Sequence, residues 1–319
     1  MSDDHTVLGQ NPTLIQEVAR TIFPGKSLSV ERVREGVSTY VYRLSTKSER
    51  FYLRVLPEEG ASFGPEAEAH RRLRESGVRV PEVIYFEPMN ERVQRSIMVT
   101  REIPGVPLSQ SPLLAPADRE QVLAEAGADL ARVNQVAVNG FGWIDRSPGL
   151  ADSLQAPHQS FRAFALEFWE TDLAFLGGTV LSPAEVATVN HVVADSEAWL
   201  ANDAGHLAHG DFDPTHIFQQ DGRYTGLIDF GEIRGADQWY DLGHFHLREG
   251  EHLPTPLEDD LIRGYRQIVA LPPDYPSRIR LASFLINVRA LSRSLQKRPL
   301  NWFTRHQLAV LREDLAALR

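Results

Sequence analysis

One segment whose pattern predicts a β-hairpin interrupts the helical last two thirds of this sequence, and it restricts the possible folds more than any other feature. The apolar pairs Ile217-Phe218 and Leu227-Ile228 flank a polar stretch that contains Asp221-Gly222. Asp-Gly between apolar runs is a strong hairpin signal. Because a hairpin brings its two ends together, we expect the residues just before and just after it to converge.

The densest cluster of titratable residues lies at these two ends. Before the hairpin stands His209-Gly210-Asp211-Phe212-Asp213-Pro214-Thr215-His216, and after it stands Ile228-Asp229-Phe230-Gly231-Glu232. Asp211, His216 and Asp229 are therefore candidates for a single metal or phosphate site. Asp229 is embedded in an apolar run, where a carboxylate needs a charged partner or a metal ion.

The N-terminal third alternates apolar and polar positions in short runs. Leu28 to Arg34, Tyr40 to Ser45 and Arg50 to Leu56 predict an antiparallel meander, and Val83 to Glu87 and Ser96 to Glu102 predict two further strands. Between the two groups lies one helical pattern. It has Pro65 at its first position and Gly77 just past its end, as helices commonly do.

A linker, Ile103-Pro104-Gly105, separates two parts of different charge. Up to Gly105 the chain has 15 basic and 15 acidic residues, so the whole net charge of -10 lies beyond it. We expect two domains, residues 1–105 and 106–319. Helical patterns dominate the second one, at residues 116–138, 158–176, 182–202, 256–270, 276–296 and 301–318.

The composition excludes several classes of protein. The 33 basic and 43 acidic residues argue against a nucleic-acid binder or a protein of anionic membranes, since both need a positive field. The absence of cysteine excludes disulfides, a thiolate nucleophile and Cys-type zinc sites. The N-terminus lacks the features of a secretion signal, and no stretch approaches the ~20 apolar residues of a membrane span. We expect a cytoplasmic monomer or homodimer.

Three motifs resemble one known family. His209-Gly210-Asp211 with a residue five places on, Ile228-Asp229-Phe230, and Gly235-Ala236-Asp237 with Asp241 are similar to the aminoglycoside phosphotransferases, relatives of choline kinase and protein kinases. The resemblance implies an α+β, two-lobed protein-kinase-like fold with the nucleotide between the lobes. The small N-terminal lobe would hold an antiparallel sheet and one helix and end in a hinge, and the larger C-terminal lobe would be mostly helical.

The resemblance also implies residue roles. Asp211 matches the catalytic aspartate that accepts or orients the proton of the acceptor hydroxyl, and Asp229 matches the aspartate that holds Mg²⁺ against the phosphates of ATP or GTP. His209 and Asp241 match packing or structural positions. Phosphoryl transfer depends on positioning and charge neutralisation, so one acid near the acceptor and another on the metal suffice.

Two positions depart from the family pattern. His216 replaces a metal-binding asparagine; Mg²⁺ prefers oxygen ligands, whereas Mn²⁺ tolerates imidazole better. His216 is thus a metal ligand, a hydrogen-bond partner of a phosphate or metal-bound water, or the mark of an inactive kinase. Arg54 replaces a phosphate-binding lysine and keeps its charge. Its predicted partner is Glu66, with Glu68 as the alternative.

The remaining nucleotide contacts follow from the same resemblance. Gly36, Ser38 and Thr39 would cover the phosphates. Backbone groups of the linker at Arg101 and Ile103 would bind the base, with Thr100 beside the pocket.

The acceptor is expected to be a small hydroxylated molecule. The acidic C-terminal part suits a polycation, so we expect an aminoglycoside antibiotic, which makes the chain a resistance kinase. Gly140-Phe141-Gly142 and Arg54 are similar to features of hygromycin-type kinases. Candidate acceptor contacts are Glu232 and Asp237, together with the acidic residues Glu249, Glu251, Glu258, Asp259 and Asp260.

Other functions remain open. The same scaffold serves kinases of macrolides, homoserine and choline-like alcohols, and a non-catalytic nucleotide-binding protein would bind ATP without transfer. Histidines and aspartates between His206 and His246 could also form a hydrolytic metal centre, although His244 and His246 are better interpreted as packing residues. The aromatic helix of Phe161, Phe164, Phe168, Trp169 and Phe175 has the spacing of a core helix.

Overall fold

The N-terminal third of the chain builds a five-stranded antiparallel sheet in the computed structural model, which describes residues 12–33, 39–147, 153–253 and 256–319. The strands lie in the order β1-β2-β3-β5-β4. In chain order they are β1 (Ser29–Val33), β2 (Tyr40–Ser45), β3 (Arg50–Val55), β4 (Val83–Asn90) and β5 (Arg95–Arg101). All five predicted strands are therefore present; Arg34, the end of the first predicted run, lies outside the described residues.

One face of this sheet lies on a hydrophobic core. Alternate residues of β2 and β3 point into it because side chains of a strand alternate between its faces. Helix α1 (Pro12–Ile22) covers that face with Ile15, Val18 and Ala19. The buried strand residues are Tyr42, Leu44, Phe51, Leu53 and Val55.

Helix α2 (Gly64–Glu75) follows β3, as the proline and glycine signals predict. Gly77 has a φ of 83°, a left-handed conformation that suits glycine after a helix. The helix buries Ala69 and Leu73 as expected, but it also buries the carboxylates of Glu66 and Glu68. Buried acids need partners, and both have arginine partners, described below.

The chain divides into two compact units. The first comprises Met1–Pro104, Asp145–Leu154 and Gly226–Gly231, and the second comprises Gly105–Ile144, Gln155–Thr225 and Glu232–Arg319. The first break falls within the linker Ile103-Pro104-Gly105. The segment that carries Asp229 belongs to the first unit, which the charge pattern did not indicate.

The second unit is mostly helical. The longest helix among its described residues, α10 (Tyr275–Lys297), runs through a core that includes Phe284, Val288 and Leu291. The helices are α3 (Pro116–Val133), α4 (Phe161–Ala165), α5 (Trp169–Gly177), α6 (Pro183–Asp195), α7 (Glu197–Leu200), α8 (Tyr240–Arg248), α9 (Glu258–Tyr265), α10 (Tyr275–Lys297) and α11 (Trp302–Ala317).

Two small sheets accompany these helices. The predicted hairpin is β10 (Ile217–Gln220) and β11 (Arg223–Leu227), and β10 also pairs with β6 (Val106–Pro107). The other sheet has the order β7-β9-β12-β8. Its strands are β7 (Ala137–Val138), β8 (Gly142–Trp143), β9 (Gly205–Ala208) and β12 (Arg234–Ala236).

Several boundaries differ from the sequence-based expectation. The helix expected at 116–138 ends at Val133, and Ala137–Val138 pairs with β9 instead. The helices expected at 158–176 and 182–202 are each broken into two. Helix α8 was not predicted, because its polar residues Asp241, His244 and His246 obscure its apolar face.

Within the described part of the chain, no helix is both long and apolar enough to cross a membrane.

Candidate active site

The turn that follows β9 carries Asp211, and a buried carboxylate holds this turn in place. Asp241 accepts hydrogen bonds from the backbone amides of His209 and Gly210, both at 2.9 Å. It also accepts one from the side chain of Asn134 at 2.9 Å. Asp241 is fully buried, so three donors replace the water that its charge would otherwise need. Its place in the structure matches the structural role that the motif implies.

Gly210 has a φ of 87° and a neighbour that leaves no space for a side chain. A Cβ atom at this position would lie 2.0 Å from the backbone oxygen of Glu232. Glycine is therefore required for conformation and for space. The turn directs Asp211 outward, and its side chain is 46% exposed.

His209 and His216 support the same turn from within. His209 is fully buried, and its ring packs against the rings of Phe212 and His216. Nδ1 of His216 lies 2.6 Å from the backbone oxygen of Asp211. A carbonyl oxygen only accepts, so Nδ1 of His216 carries the proton and a neutral ring has its lone pair on Nε2.

A cavity of about 280 Å³ lies in front of Asp211, and all of its lining residues belong to the second unit. We call it the Asp211 cavity. Its wall is rich in aromatic side chains: Trp143, Phe161, Phe164, Phe168, Trp169 and Tyr240. Phe161 and Trp169 also contribute to the hydrophobic core, as their spacing predicts. Phe168, however, is 44% exposed, so this helical region serves both the core and the cavity.

The charges around this cavity are nearly balanced. The acids are Glu167, Asp172, Asp211 and Glu232, and the bases are Arg234, Arg289 and Arg293. Asp172 is buried and bound by Arg289 at 3.0 Å and by Ser292 at 2.7 Å. The guanidinium of Arg289 also stacks 3.8 Å from the ring centre of Phe168.

Arg234 is held between two aromatic rings. Its guanidinium lies 4.0 Å from the ring centre of Trp143 and 5.0 Å from that of Tyr240. It donates to the hydroxyl of Tyr240 at 2.7 Å and forms an ion pair with Glu232 at 3.3 Å. Burial raises the pKa of Tyr240, so its hydroxyl stays protonated at neutral pH.

The predicted acceptor contacts lie in different places. Glu232 lines the Asp211 cavity. Asp237 does not; it is buried and accepts hydrogen bonds from Asn202 at 3.0 Å and from the backbone of Trp239 at 2.7 Å. Burial raises the pKa of Asp237, and these bonds oppose the rise. None of Glu249, Glu251, Glu258, Asp259 and Asp260 lines this cavity.

In the first unit, a buried ion pair joins β3 to α2. Arg54 binds the carboxylate of Glu66, which is 1% exposed, as the sequence predicts. Arg146 lies 3.7 Å from the same carboxylate and donates to the backbone oxygen of Gly231 at 2.6 Å. Burial raises the pKa of Glu66, whereas Arg54 and Arg146 oppose that rise. Glu68, the alternative partner, binds Arg71 and Arg72 instead.

Asp229 lies beside this pair. A Cβ on Gly231 would be 3.1 Å from Nη2 of Arg54 and 3.2 Å from Oδ1 of Asp229, so both atoms border the same space. Asp229 has a φ of 65°, which is uncommon outside glycine and often marks functional sites. The next residue, Phe230, packs its ring edge-on against His70 of α2, with centres 5.2 Å apart.

The other predicted nucleotide-binding residues of the first unit have contrasting surroundings. Thr100 is buried on β5 opposite Tyr52. The side chain of Arg101 binds Glu49 and Glu82, so it is directed to other protein groups. The backbone of Ile103 makes no hydrogen bond with any described residue. Thr39 precedes β2, and Gly36 and Ser38 lie outside the described residues.

The side chains near Asp229 offer few ligand atoms for a metal ion. They therefore suit Mg²⁺ that is bound together with a nucleotide better than a metal ion bound by the protein alone. Asp229 offers carboxylate oxygen for a metal ion, and the cation of Arg54 beside it suits phosphate oxygens. Among the described residues, no three His, Asp or Glu side chains form a metal-binding group. Mg²⁺ commonly uses one or two carboxylates and completes its shell with phosphate and water.

The hydrolytic metal centre finds no support in these residues. A catalytic zinc site needs three protein ligands, which the described part of the chain does not bring together. His246 lies between Glu258 at 2.5 Å and Asp314 at 3.2 Å. Burial opposes its protonation, but these two acids outweigh that effect and raise the pKa of His246 to about 10. A protonated imidazole cannot bind a metal ion.

Sequence reasoning missed several residues of the cavity. Trp143 and Arg234 come from two-residue and three-residue strands, which leave no periodic signal. His244 was interpreted as a packing residue, yet Nε2 of its ring lies 3.4 Å from Oδ1 of Asp211. The spacing of Tyr240 and His244 on one helix face could have indicated this.

Comparisons with known proteins agree with the motifs. The family model described as the phosphotransferase enzyme family (APH) matches residues 29–281. An aminoglycoside 3'-phosphotransferase of Enterococcus faecalis is 25% identical over 247 residues, which cover 76% of this chain and 86% of that protein. A hygromycin-B 4-O-kinase of Escherichia coli is 22% identical over 219 residues, which cover 64% of this chain and 54% of that protein.

Solved structures show the same fold. A thermostable mutant of aminoglycoside phosphotransferase APH(4)-Ia, in a ternary complex with ADP and hygromycin B, superposes with a TM-score of 0.67 at 18% identity, covering 93% of this chain and 98% of that one. The complex of APH(2")-IIia with GDP and kanamycin gives a TM-score of 0.64 at 20% identity, with coverage of 95% and 98%. The predicted two-lobed, protein-kinase-like fold is confirmed. Given the match of the family model to most of its length, the chain belongs to the phosphotransferase enzyme family.

Proposed function

We propose that the chain transfers the γ-phosphate of ATP or GTP to a hydroxyl group of an aminoglycoside. The observation that carries this proposal is the turn of His209, Gly210 and Asp211, which Asp241 holds so that Asp211 borders a cavity. Relatives and similar structures support it, because their names include aminoglycoside and hygromycin kinases and complexes with ADP or GDP.

In this proposal, Asp211 acts on the acceptor. Its exposed carboxylate accepts or orients the hydroxyl proton while the hydroxyl oxygen attacks the γ-phosphorus. The bond from the γ-phosphorus to the bridging oxygen breaks, and the nucleoside diphosphate leaves with that electron pair. The aromatic wall and Glu232 orient the acceptor. Fixing the reactants in this way supplies much of the catalysis of phosphoryl transfer.

Arg54 and Asp229 act on the donor. The Arg54 guanidinium, oriented by Glu66, neutralises phosphate charge, and the backbone of Ile103 is available for the base. Asp229 would hold Mg²⁺, and His216 is the second candidate ligand. The bound ion would neutralise charge on the phosphates. Asp229→Ala is expected to weaken binding of the metal–nucleotide complex.

His216→Asn tests the metal role of the histidine. If the imidazole is a tolerated substitute, the amide oxygen should keep activity or raise it with Mg²⁺, because Mg²⁺ prefers oxygen ligands. The assay compares turnover with Mg²⁺ and Mn²⁺ in both proteins. Complete loss of activity would assign the imidazole a task of its own.

A second acceptor class has support from the cavity itself. The walls are aromatic and the charges are nearly balanced, whereas a polycation is best served by an excess of acids. These features also suit an alcohol with a larger apolar surface, so a macrolide is the second candidate acceptor.

One assay separates these possibilities. Release of ADP or GDP is followed with Mg²⁺ or Mn²⁺ against aminoglycosides, macrolides and small alcohols, with Asp211→Asn as the blank. Acceptor-dependent release that the variant lacks would establish the transfer and the acceptor class. If the protein binds nucleotide but releases none with any acceptor, the proposed activity is wrong.

A further inference from the structure

A second cavity adjoins the Asp211 cavity, and one histidine lines both. The second cavity, of about 570 Å³, lies among α8, α10 and α11 and reaches the surface at Trp302, which is 66% exposed. We call it the Trp302 cavity. His244, Ala290 and Arg293 line this cavity as well as the Asp211 cavity. His244 is therefore part of the wall between the acceptor side and a surface cavity.

The contacts of His244 fix its tautomer. Nδ1 lies 3.1 Å from the backbone oxygen of Phe212, which can only accept, so Nδ1 carries a proton. Nε2 then holds the lone pair of the neutral ring, and it lies 3.4 Å from Oδ1 of Asp211. A lone pair and a carboxylate at this distance repel each other unless a proton lies between them. A proton that arrives on either group removes this repulsion, so the pair is arranged to accept one proton.

We infer that His244 is a positioning residue for the transfer reaction: it orients the Asp211 carboxylate and takes over the proton that this carboxylate receives from the acceptor hydroxyl. The inference rests on the proposed function. The hydroxyl O–H bond breaks and its proton moves to Asp211, while the oxygen forms the new bond to phosphorus. The proton then moves from Asp211 to Nε2 of His244 and leaves to water in the Trp302 cavity, so Asp211 is again ionised for the next turnover.

The charges around His244 are compatible with this task. Burial lowers its pKa, whereas the nearby carboxylates of Asp211 and Asp213 raise it and Arg248 lowers it. Arg293 lines both cavities beside it. The ring is therefore neutral near pH 7 and able to accept a proton. Glu251 also lines the Trp302 cavity, and burial raises its pKa to about 7, so a second group there exchanges protons near neutral pH.

The first test is a titration that needs neither nucleotide nor acceptor. The ring resonances of histidine are followed by NMR in the wild-type protein and in Asp211→Asn, and His244→Gln assigns the signal. Loss of the carboxylate charge should lower the pKa of His244 by about half a unit or more, because a nearby negative charge favours the protonated ring. His191, whose side chain is 71% exposed, serves as the reference that should not change. An unchanged titration of His244 would overturn the inference.

The second test measures kcat and KM between about pH 5 and pH 8 for the wild type, His244→Gln, His244→Ala and the control His191→Gln. Glutamine keeps a hydrogen-bonding group but does not titrate in this range. We expect its kcat to fall about tenfold or more with little change in KM, and the acid limb of the wild-type profile to disappear. The kcat of His244→Ala should fall further than that of His244→Gln, because alanine also fails to orient Asp211. His191→Gln should match the wild type.

The outcomes are distinguishable from failure of the proposed function. If the wild-type protein shows no acceptor-dependent release, the proposed function is wrong. The NMR titration alone would then decide whether a proton passes between His244 and Asp211. If the enzyme is active and His244→Gln keeps both the wild-type kcat and the acid limb, the relay is wrong. Thermal unfolding of each variant shows whether a loss of activity reflects misfolding. The NMR titration of Asp211→Asn does not change His244 itself, so it tests the inference even if the His244 variants do not fold.

Discussion

Asp241 binds the backbone amides of His209 and Gly210 at 2.9 Å each, so one buried carboxylate on α8 determines the shape of the turn that carries Asp211. The aspartate at the reaction and the aspartate that supports it come from segments 30 residues apart in the chain. They have contrasting environments, since the side chain of Asp211 is half-exposed and Asp241 is fully buried.

Replacement of Asp241 by asparagine should therefore impair folding and activity together. The amide keeps one acceptor oxygen but places an NH₂ group against a backbone N–H, which leaves donors unpaired. We expect the free energy of unfolding to fall by about 1–3 kcal/mol and kcat to fall with it. Denaturant unfolding and turnover measure the two effects. Asp203→Asn, at an exposed position, should leave both unchanged; equal effects of the two changes would refute the role of Asp241.

The pair of Arg54 and Glu66 should control nucleotide affinity. Glu66→Gln removes the charge that orients the guanidinium, so we expect the dissociation constant of the nucleotide to rise about tenfold, as expected for the loss of one charge-assisted contact. Calorimetric titration with nucleotide and Mg²⁺ checks this. Glu68→Gln is the matched control on the same helix, because Glu68 binds Arg71 and Arg72. Unchanged affinity in Glu66→Gln would show that the pair is only structural.

The positive charge of Arg293 should affect the KM for a charged acceptor. It lines the Asp211 cavity, and within the described chain it has no ion-pair or hydrogen-bond partner for its side chain. Arg293→Gln should lower KM for a polycationic acceptor about threefold or more at low salt, since it removes a repulsive charge, and the effect should shrink as salt screens it. Arg305→Gln, exposed on α11, is the control. A rise in KM would instead indicate an acidic group on the acceptor.

His246 should make stability depend on pH. Its pKa is raised to about 10 by Asp314 and Glu258 despite burial, so its contribution is complete below the ordinary histidine value and declines as pH rises toward 10. We expect wild-type protein to lose up to about 4 kcal/mol of unfolding free energy over that window, beyond the loss seen in His246→Gln. Denaturant unfolding at a series of pH values measures this difference. Parallel curves for the two proteins would contradict the assignment.

Much of the first unit could be predicted because its signals are local. Alternating residues predict the strands, and Pro65 and Gly77 predict the limits of α2. The family resemblance and the position of Glu66 on its helix also predicted the pairing of Arg54 with Glu66, with Glu68 as the alternative. The assignment of the Asp229 segment to this unit could not be predicted, because it depends on contacts far apart in sequence, such as that of Phe230 with His70.

Most residues that line the Asp211 cavity could not be predicted from the sequence. Asp211 stands in a motif, whereas Trp143, Arg234 and His244 reach the same cavity from separate strands and a helix. The expectation that acidic residues would line the acceptor site followed from net charge. In the structure many of these acids serve other contacts: Asp237 binds Asn202, and Glu258 binds His246. Net charge describes the average field of a domain and does not identify the lining of one cavity.

Phosphoryl transfer by Asp211 is best tested by acceptor-dependent release of ADP or GDP by the wild type and by Asp211→Asn, with nucleotide binding measured on both. We expect release by the wild type with at least one aminoglycoside or related alcohol. We expect the variant to bind nucleotide with near-normal affinity but to lose release about 100-fold or more, because the acid that handles the hydroxyl proton is removed. Full activity of Asp211→Asn would show that Asp211 is not the residue that handles this proton.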